Sequence, residues 1–323
     1  MRAGLLEHFG SPPRPGEVEE PVAGDGEALV AVRLGALNPV DIRVASGSFY
    51  GSVPSLPYVP GSEGMGVVRS SERLEAGTRV RFGASRPGAF AELIAVPEES
   101  LVVVPDAVDD AVAAGIGVAG LAAWGSLRAA RLRAGEKVLV LGATGMVGRL
   151  TVQLAGILGA GRVVAAARGT ASLESRVGDL APAGVVALDE RPQEAIAETI
   201  MQAAGGQVDV IVDPLWGSPA MAALTAAAPR ARLVNLGDSA GTSIELTSAL
   251  LRSKSLTLIG YTNFALSNEE QRSGIEELLE HAGAGRLSLG SEVIALDEVA
   301  GGWERQAASP HRKLLIAMDR SSL

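Results

Sequence analysis

Apolar and polar positions change rhythm twice along this chain, and the changes mark its organisation. In the first hundred or so residues the apolar stretches are short: Ala28 to Leu34, Met65 to Val68, Thr78 to Phe82, Phe90 to Val96 and Leu101 to Val104. Gly, Pro and Ser interrupt them, which is the pattern of a small, irregular β-rich domain. The rhythm changes at Val138 to Leu141, a buried strand that runs into glycines. An amphipathic helix follows from near Met146, then a second strand from Arg162 to Ala167. Next come a short helix (Ala171 to Leu180), a strand (Val185 to Leu188), a helix (Pro192 to Ala204) and a strand from Val208 to Asp213, closed by Pro214. A helix from Ser218 to Ala228, a strand from Arg232 to Gly237 and a last strand from Ser255 to Gly260 complete the series. Such alternation predicts a parallel, doubly wound sheet of about six strands. From Asn268 the character is mixed again: an acidic helix (Glu269 to His281), then strand-like Ser291 to Leu296 and Lys313 to Met318. The predicted fold class is α/β, a β-rich domain with a doubly wound domain behind it.

The glycines at Gly142, Gly145 and Gly148 begin where the first strand of that sheet stops. In a dinucleotide site they provide, in turn, a tight turn, close backbone approach to the pyrophosphate, and close packing of helix on strand. The helix from Met146 would aim its free N–H groups at the phosphates. An NAD-preferring site ends its second strand with Asp or Glu, about twenty residues after the glycines. Here that position is Arg168, followed by Gly169 and Thr170. A guanidinium forks onto a ribose 2′-phosphate, whereas a carboxylate would repel it, so NADPH is the predicted cofactor. Ser172 and Arg176 are further polar groups in the same stretch.

Composition narrows the chemistry. With 47% apolar and 20% charged residues among 323, the chain has room for two domains with substantial cores. A net charge of −9 and the lack of a basic stripe argue against a nucleic-acid partner. Gly, Arg and Glu interrupt each apolar run, so no membrane span is expected. Glu7 and His8 fall within the apolar stretch of MRAGLLEHFGSPPRP, which reads against a signal peptide and for a cytoplasmic protein. There is no cysteine, hence no disulfide and no thiolate zinc site. His8, His281 and His311 lie far apart and lack ligand spacing, so no metal is predicted. No G-x-S-x-G elbow accompanies them, which leaves a Ser-His hydrolase without support. Lysine occurs only at Lys137, Lys254 and Lys313, and arginine takes its place elsewhere.

Several segments together carry a family likeness. They are Ala36-Leu37-Asn38-Pro39-Val40-Asp41, Leu56 to Val68 (LPYVPGSEGMGVV), Gly117 to Trp124 (GVAGLAAW), Val212 to Gly217 (VDPLWG) and Leu233 to Gly237 (LVNLG). With these the chain resembles, over nearly its whole length, the zinc-independent quinone oxidoreductase branch of the medium-chain dehydrogenase/reductase superfamily. The resemblance implies a GroES-like catalytic domain from residues 1–117 and 256–323 and a Rossmann NADP-binding domain from 118–255, with the active site in the cleft between them. It implies a hydride transfer from NADPH to a quinone or an α,β-unsaturated carbonyl, an apolar small molecule, in a homodimer. The zinc branch has a Cys near the position of Asn38 and a His where this chain has Ser62, which agrees with the absence of cysteine. Short-chain reductases, which share GATGMVGR-like turns, need a Tyr-x-x-x-Lys pair. Tyr50, Tyr58 and Tyr261 are followed at that spacing by Pro54, Ser62 and Ala265, so none qualifies. A redox sensor or structural protein on the same scaffold is the alternative of a different class.

By the same resemblance, Val118 and the turn Gly142, Ala143, Thr144, Gly145, Met146 and Val147 face the nicotinamide ribose and pyrophosphate. Asn235, Leu236 and Gly237 lie beside the nicotinamide half, and Tyr261 to Phe264 close over it or simply pack. Ala122 stands where many relatives have a Thr near the nicotinamide. Without zinc, charge developing on a carbonyl oxygen needs hydrogen-bond donors. Asn38, in the position of the family's cleft-lining Asn, would supply one through its amide. Asp41 either fixes the Asn38 loop through backbone N–H groups or acts as an acid; an ordinary Asp is ionised near pH 7, which favours the first. The superfamily's enoyl reductases carry a Tyr proton donor where this chain has Phe49. Tyr50 comes one residue later, as a displaced donor or as a wall. Arg43 and Arg86 lie in rim loops, without a cluster that would mark a CoA phosphate site. If Arg168 reads the 2′-phosphate, Arg168→Ala should raise the KM for NADPH far more than that for NADH; equal effects in steady-state kinetics would exclude that role.

Overall fold

A computed structural model of the chain describes residues 1–49, 51–83, 88–169, 176–189 and 191–319. Tyr50, Arg86, Ser172 and the beginning of the helix expected from Ala171 lie outside the described residues. The chain forms two compact units, Met1–Val118 with Asn268–Leu323, and Ala119–Ser267. The return to the first unit comes later than residue 256, where the sequence reading puts it. The strand Thr257–Gly260 pairs in parallel with its neighbour, from Arg232↔Thr257 to Asn235↔Gly260, and so belongs to the sheet of the second unit.

The first unit is organised by β3 (Glu27–Leu37), which follows the short antiparallel pair β1 (Arg2–Leu5) and β2 (Arg14–Glu17). Residues of β3 alternate between buried and part-exposed up to Val32, then are nearly all buried to Leu37. Helix α1 (Pro39–Ala45) begins directly after it. Strand β3 pairs antiparallel with β4 (Glu63–Ser70), with β6 (Leu93–Pro97) and with β15 (Lys313–Ala317), the last strand of the chain. Strands β5 (Arg79–Phe82) and β7 (Val102–Val103) extend the sheet on one side, and β14 (Ser291–Ala295) extends it on the other. Its core includes Phe82, Phe90, Ile94, Trp303, Leu314 and Ile316.

Helix α2 (Asp110–Ala129) starts in the first unit and ends in the second. The second unit then runs β8 (Lys137–Leu141), α3 (Met146–Ile157), β9 (Arg162–Ala167), β10 (Gly184–Ala187), α4 (Gln193–Ala204), β11 (Val208–Asp213), α5 (Gly217–Thr225), β12 (Ala227–Asn235), α6 (Ser248–Lys254) and β13 (Thr257–Gly260). All six strands are parallel, in the order β10-β9-β8-β11-β12-β13. This is the Rossmann order, and its reversal between β8 and β11 is the point where such sheets take their ligands. Helices α7 (Asn268–Gly283) and α8 (Val299–Ala307) return the chain to the first unit.

The differences from the sequence reading have identifiable causes. Helix α2 is apolar on nearly every side, so it lacks the one-sided pattern by which a helix is recognised. By length and composition alone it is the described helix that passes for a membrane span, as a buried core helix also does. In the fold, 72% of its most apolar window is buried inside the protein. Strand β12 begins at Ala227, inside the alanine run expected to finish a helix at Ala228. Parallel pairing of Val208 with Ala227 overrides the helical preference of alanine there. Helices α1, α6 and α8 are short, two turns or so each, and left no periodicity to read.

Candidate functional site

Two regions contain the residues that the sequence singles out. In the second unit Gly142 leaves β8 with φ +63, a left-handed backbone that glycine adopts without strain. Gly145 is the N-cap of the 12-residue helix α3 and no side chain caps it. The first turn of α3 has no acidic residue, so among the described residues no side chain of that turn or cap offsets its N-terminal N–H groups and positive dipole end. A Cβ on Gly148 would sit 2.4 Å from the carbonyl oxygen of Gly142, so only glycine lets the helix approach the turn this closely. Ala143 and Thr144 are buried, while Gly142, Met146 and Val147 are part-exposed. Arg168 is exposed directly after β9. These residues suit a diphosphate-bearing ligand: a helix end without a counter-charge, at the reversal of the sheet.

The neighbouring loop, after β11, is held by a buried acid. Asp213 Oδ1 accepts the backbone N–H groups of Leu215 and Trp216, each at 2.9 Å. Burial raises the Asp213 pKa against those bonds. Trp216 has φ 57 and ψ −160, a conformation that is costly for any residue but glycine. Asn235, paired with Asp213 across the strand ends, donates its amide to Asp213 Oδ2 at 3.2 Å and to the Gly237 carbonyl at 2.8 Å. Leu236 N–H donates to the Asp213 carbonyl at 2.9 Å. Tyr261 is anchored within the unit: its hydroxyl donates to the Leu121 carbonyl at 3.1 Å, in space that a Cβ on Gly125 would fill. Phe264 is 67% exposed.

In the first unit the catalytic candidates belong to a buried network that the sequence did not announce. Its centre is Glu63 on β4, which has no exposed surface. Glu63 Oε1 accepts from Lys313 Nζ at 2.8 Å and from the Asn38 amide at 3.1 Å. Its Oε2 accepts from Arg81 Nη2 at 2.7 Å and from the backbone N–H of Val118 at 2.8 Å. Room for this comes from α2, where a Cβ on Gly117 would lie 1.5 Å from Arg81 Nη2 and one on Gly115 would lie 2.8 Å from Lys313 Cγ. Asn38 also donates to the Ala36 carbonyl at 3.2 Å, and its own carbonyl accepts from Lys313. Both amide hydrogens of Asn38 are therefore committed, and the residue is 2% exposed. It does not stand ready to donate to a substrate oxygen, as the sequence reading had it.

Asp41 Oδ2 accepts the Asn38 backbone N–H at 2.7 Å, tying down the start of α1. Its Oδ1 accepts the hydroxyl of Ser62. Burial dominates its titration and, with the charge of Glu63, pushes it up to about 6 against the Ser62 and Asn38 bonds and the charge of Lys313. Glu63 goes the other way. Burial opposes its ionisation, but the charges and hydrogen bonds of Lys313 and Arg81 together outweigh it and hold the carboxyl at about 2. The Tyr58 hydroxyl is buried without a hydrogen-bond partner among the described residues; burial, then the nearby Asp41 charge, raises it to about 12. Val118 meets this network through its N–H. Glu63 and Arg81 escaped the sequence reading, which named Ser62 only as the residue in place of the zinc branch's His and Lys313 only as one of three lysines. A usable signal was present: one of three lysines in an arginine-rich chain, and one Glu inside the glycine-rich apolar strand GSEGMGVV.

Known proteins share both the sequence and the fold. Residues 24–106 match the alcohol dehydrogenase GroES-like domain. A quinone oxidoreductase of Pseudomonas aeruginosa is 31% identical over 237 residues, 72% of this chain and 71% of that protein. A subunit of the phenolphthiocerol/phthiocerol polyketide synthase of Mycobacterium tuberculosis is 30% identical over 302 residues, 90% of this chain; the chain spans 13% of that much longer protein. Among solved structures, the quinone oxidoreductase from Thermus thermophilus, described alone and in complex with NADPH, superposes with a TM-score of 0.84 at 25% identity, covering 98% of this chain and 100% of the other.

The network makes stability depend on pH in two opposite ways. Glu63 titrates below its ordinary 4.5 in the fold, so its contribution is complete above 4.5 and is lost as pH falls towards 2. Asp41 titrates above its ordinary 3.8, so its contribution is complete below 3.8 and is lost as pH rises through 6. Glu63→Gln, which leaves Lys313 and Arg81 facing a neutral partner, should cost about 3 kcal/mol or more near neutral pH. In urea melts from pH 3 to 7, the gap between the two proteins should narrow below pH 4.5; a constant gap would contradict the assigned ionisation.

Proposed function

The chain belongs to the quinone oxidoreductase branch of the medium-chain dehydrogenase/reductase superfamily, and on that premise we propose that it is a zinc-free, cytoplasmic, NADPH-dependent reductase of quinones or α,β-unsaturated carbonyl compounds. The observation that carries the cofactor reading is the uncapped end of α3 over the Gly142 turn at the reversal of the sheet. The NADPH complex described for the Thermus relative supports it. In this reading the backbone from Gly142 through Ala143, Thr144, Gly145, Met146 and Val147 cradles the pyrophosphate. Arg168 takes the 2′-phosphate, and Asn235, Leu236, Gly237 and Val118 border the nicotinamide half. Bound NADPH would supply a hydride to an electron-poor carbon or quinone.

The protein's own residues set the conditions for that transfer. Asp213 and Asn235 hold the loop after β11 in a fixed, costly shape beside the glycine turn, so that surface is formed before any ligand arrives. Zinc independence is supported by a sequence without cysteine, in which Asn38 and Ser62 are tied to Lys313 and Asp41. An enoyl thioester is the acceptor favoured by one further observation, the 30% identity to a polyketide synthase subunit across 90% of this chain. An apolar pocket with a few polar anchors suffices for any of these acceptors.

NADPH oxidation measured against a benzoquinone, a long-chain enone and crotonyl-CoA is the direct test. Turnover of at least one is expected, and NADPH binding without turnover of any would leave the redox-sensor reading instead. We also propose a homodimer joined through β13, an open edge of the six-stranded sheet, where Leu258 is 38% exposed. Analytical ultracentrifugation at micromolar concentration should show a dimer, and a single monomer species would refute it.

A further inference from the structure

The acid Asp41 links the buried network of the first unit to a part-exposed hydroxyl, that of Ser62. Asp41 is 4% exposed, Asn38 2% and Glu63 0%, and Lys313 and Arg81 are buried as well. Ser62 is part-exposed. Of the two Asp41 oxygens, Oδ2 is engaged by the Asn38 backbone and Oδ1 by the Ser62 hydroxyl. A proton on Asp41 that is to leave the network therefore has the Ser62 oxygen as its nearest carrier. The start of α1 is already fixed through Oδ2, so the Ser62 hydroxyl is a second, separate contact on the same acid.

We propose that Ser62 is the proton donor to the reduced substrate, with Asp41 as the positioning residue that resupplies it. The inference rests on the reductase reading above. Hydride addition to the β-carbon of an enone or enoyl thioester, from the reduced nicotinamide dinucleotide of that reading, leaves an enolate that needs one proton at its α-carbon. Ser62 gives its hydroxyl proton to that carbon, and its oxygen takes the proton held by Asp41. The O–H bond of the serine is re-formed, Asp41 is left as a carboxylate, and the serine again donates to Oδ1, the arrangement found in the structure. One proton from solvent resets the pair. The groups facing Asp41 are suited to this. Burial and Glu63 favour the protonated acid and Lys313 opposes it, leaving it titrating at about 6, within reach of neutral pH. The Tyr58 hydroxyl, pushed up to about 12, stays protonated and does not compete as a base.

Quinones provide an internal control, because their reduced form takes its proton on oxygen, where water is an adequate donor. The test uses the full-length protein with Ser62→Ala and Ser62→Thr. For the enone, Ser62→Ala should lower kcat by about a hundredfold, with a much smaller effect on benzoquinone and none on the NADPH dissociation constant from fluorescence titration. Ser62→Thr, which keeps the hydroxyl, should recover most of the loss. Enone kcat in the unaltered protein should fall as pH rises through about 6, and that limb should vanish in Ser62→Ala. Without cofactor, the Asp41 carboxyl followed by carbon NMR should titrate higher in Ser62→Ala, since the serine bond holds it down. Enone turnover undiminished in Ser62→Ala, or an equal loss with both acceptors, would overturn the assignment. An unaltered protein inert to every acceptor is a separate result, which removes the reductase reading itself.

Discussion

Glu63 is a carboxylate with no exposed surface, and four donors from four parts of the chain end on it. Lys313 reaches it from a strand 250 residues away in sequence, Arg81 from β5, Asn38 from the end of β3, and Val118 from within α2. Removing a charge from water costs several kcal/mol, so such a group persists only where partners satisfy nearly every lone pair. The consequence is geometric. β4, β5, β15, the Asn38 loop and α2 must arrive at one place, and the last strand must come back beside β3 before Oε1 of the acid receives its cation. That is how the beginning and the end of the chain come to form one unit around an inserted second one.

The same economy of space recurs in the second unit with neutral groups. At Gly148 the helix packs on the turn so closely that a methyl group would overlap the carbonyl of Gly142. Among the described residues Asp213 is the buried acid of this unit, and no cation pairs with it. Two backbone N–H groups and an amide hydrogen-bond to it instead, and its pKa rises where that of Glu63 falls. The contrast follows from the partners: fixed dipoles stabilise a carboxylate less than two full charges in contact with it. Both acids shape a loop or a strand end, and both lie beside residues that the proposed reaction needs.

Most of the parallel sheet was legible because its strands carry short apolar runs bounded by glycine or proline, and two of them, Arg162–Ala167 and Val208–Asp213, were read to the residue; β12, with Pro229, Arg230 and Arg232 inside it, was read only in its second half. Helix α2 was not, since a helix buried on nearly all sides has the same texture as a run of small apolar residues in any other state. Asn38 and Asp41 were legible as a pair: Asp41 does fix the Asn38 loop through a backbone N–H, while the Asn38 amide is spent inside the network. Their hydrogen-bond partners, Glu63, Lys313 and Ser62, come from distant segments, and spacing along the chain says nothing about them. An isolated Asp is assumed ionised at neutral pH. Only burial, which is a property of the fold, raises Asp41 far enough to matter.

Helix α2 has a further consequence, for how such a protein can be taken apart. The division between the units falls between Val118 and Ala119, in the middle of a helix that runs from Asp110 to Ala129. The other division, at Ser267 and Asn268, falls just before a helix begins. A recombination event that exchanged the inserted unit alone would sever α2 and leave a half-helix on each product, one of them without its acidic first turn at Asp110. Exchange of an intact helix would carry Gly115 and Gly117 with it, and the recipient would receive a cleft shaped for an arginine and a lysine. The two halves of this chain are thus modular in their packing and inseparable in their inheritance.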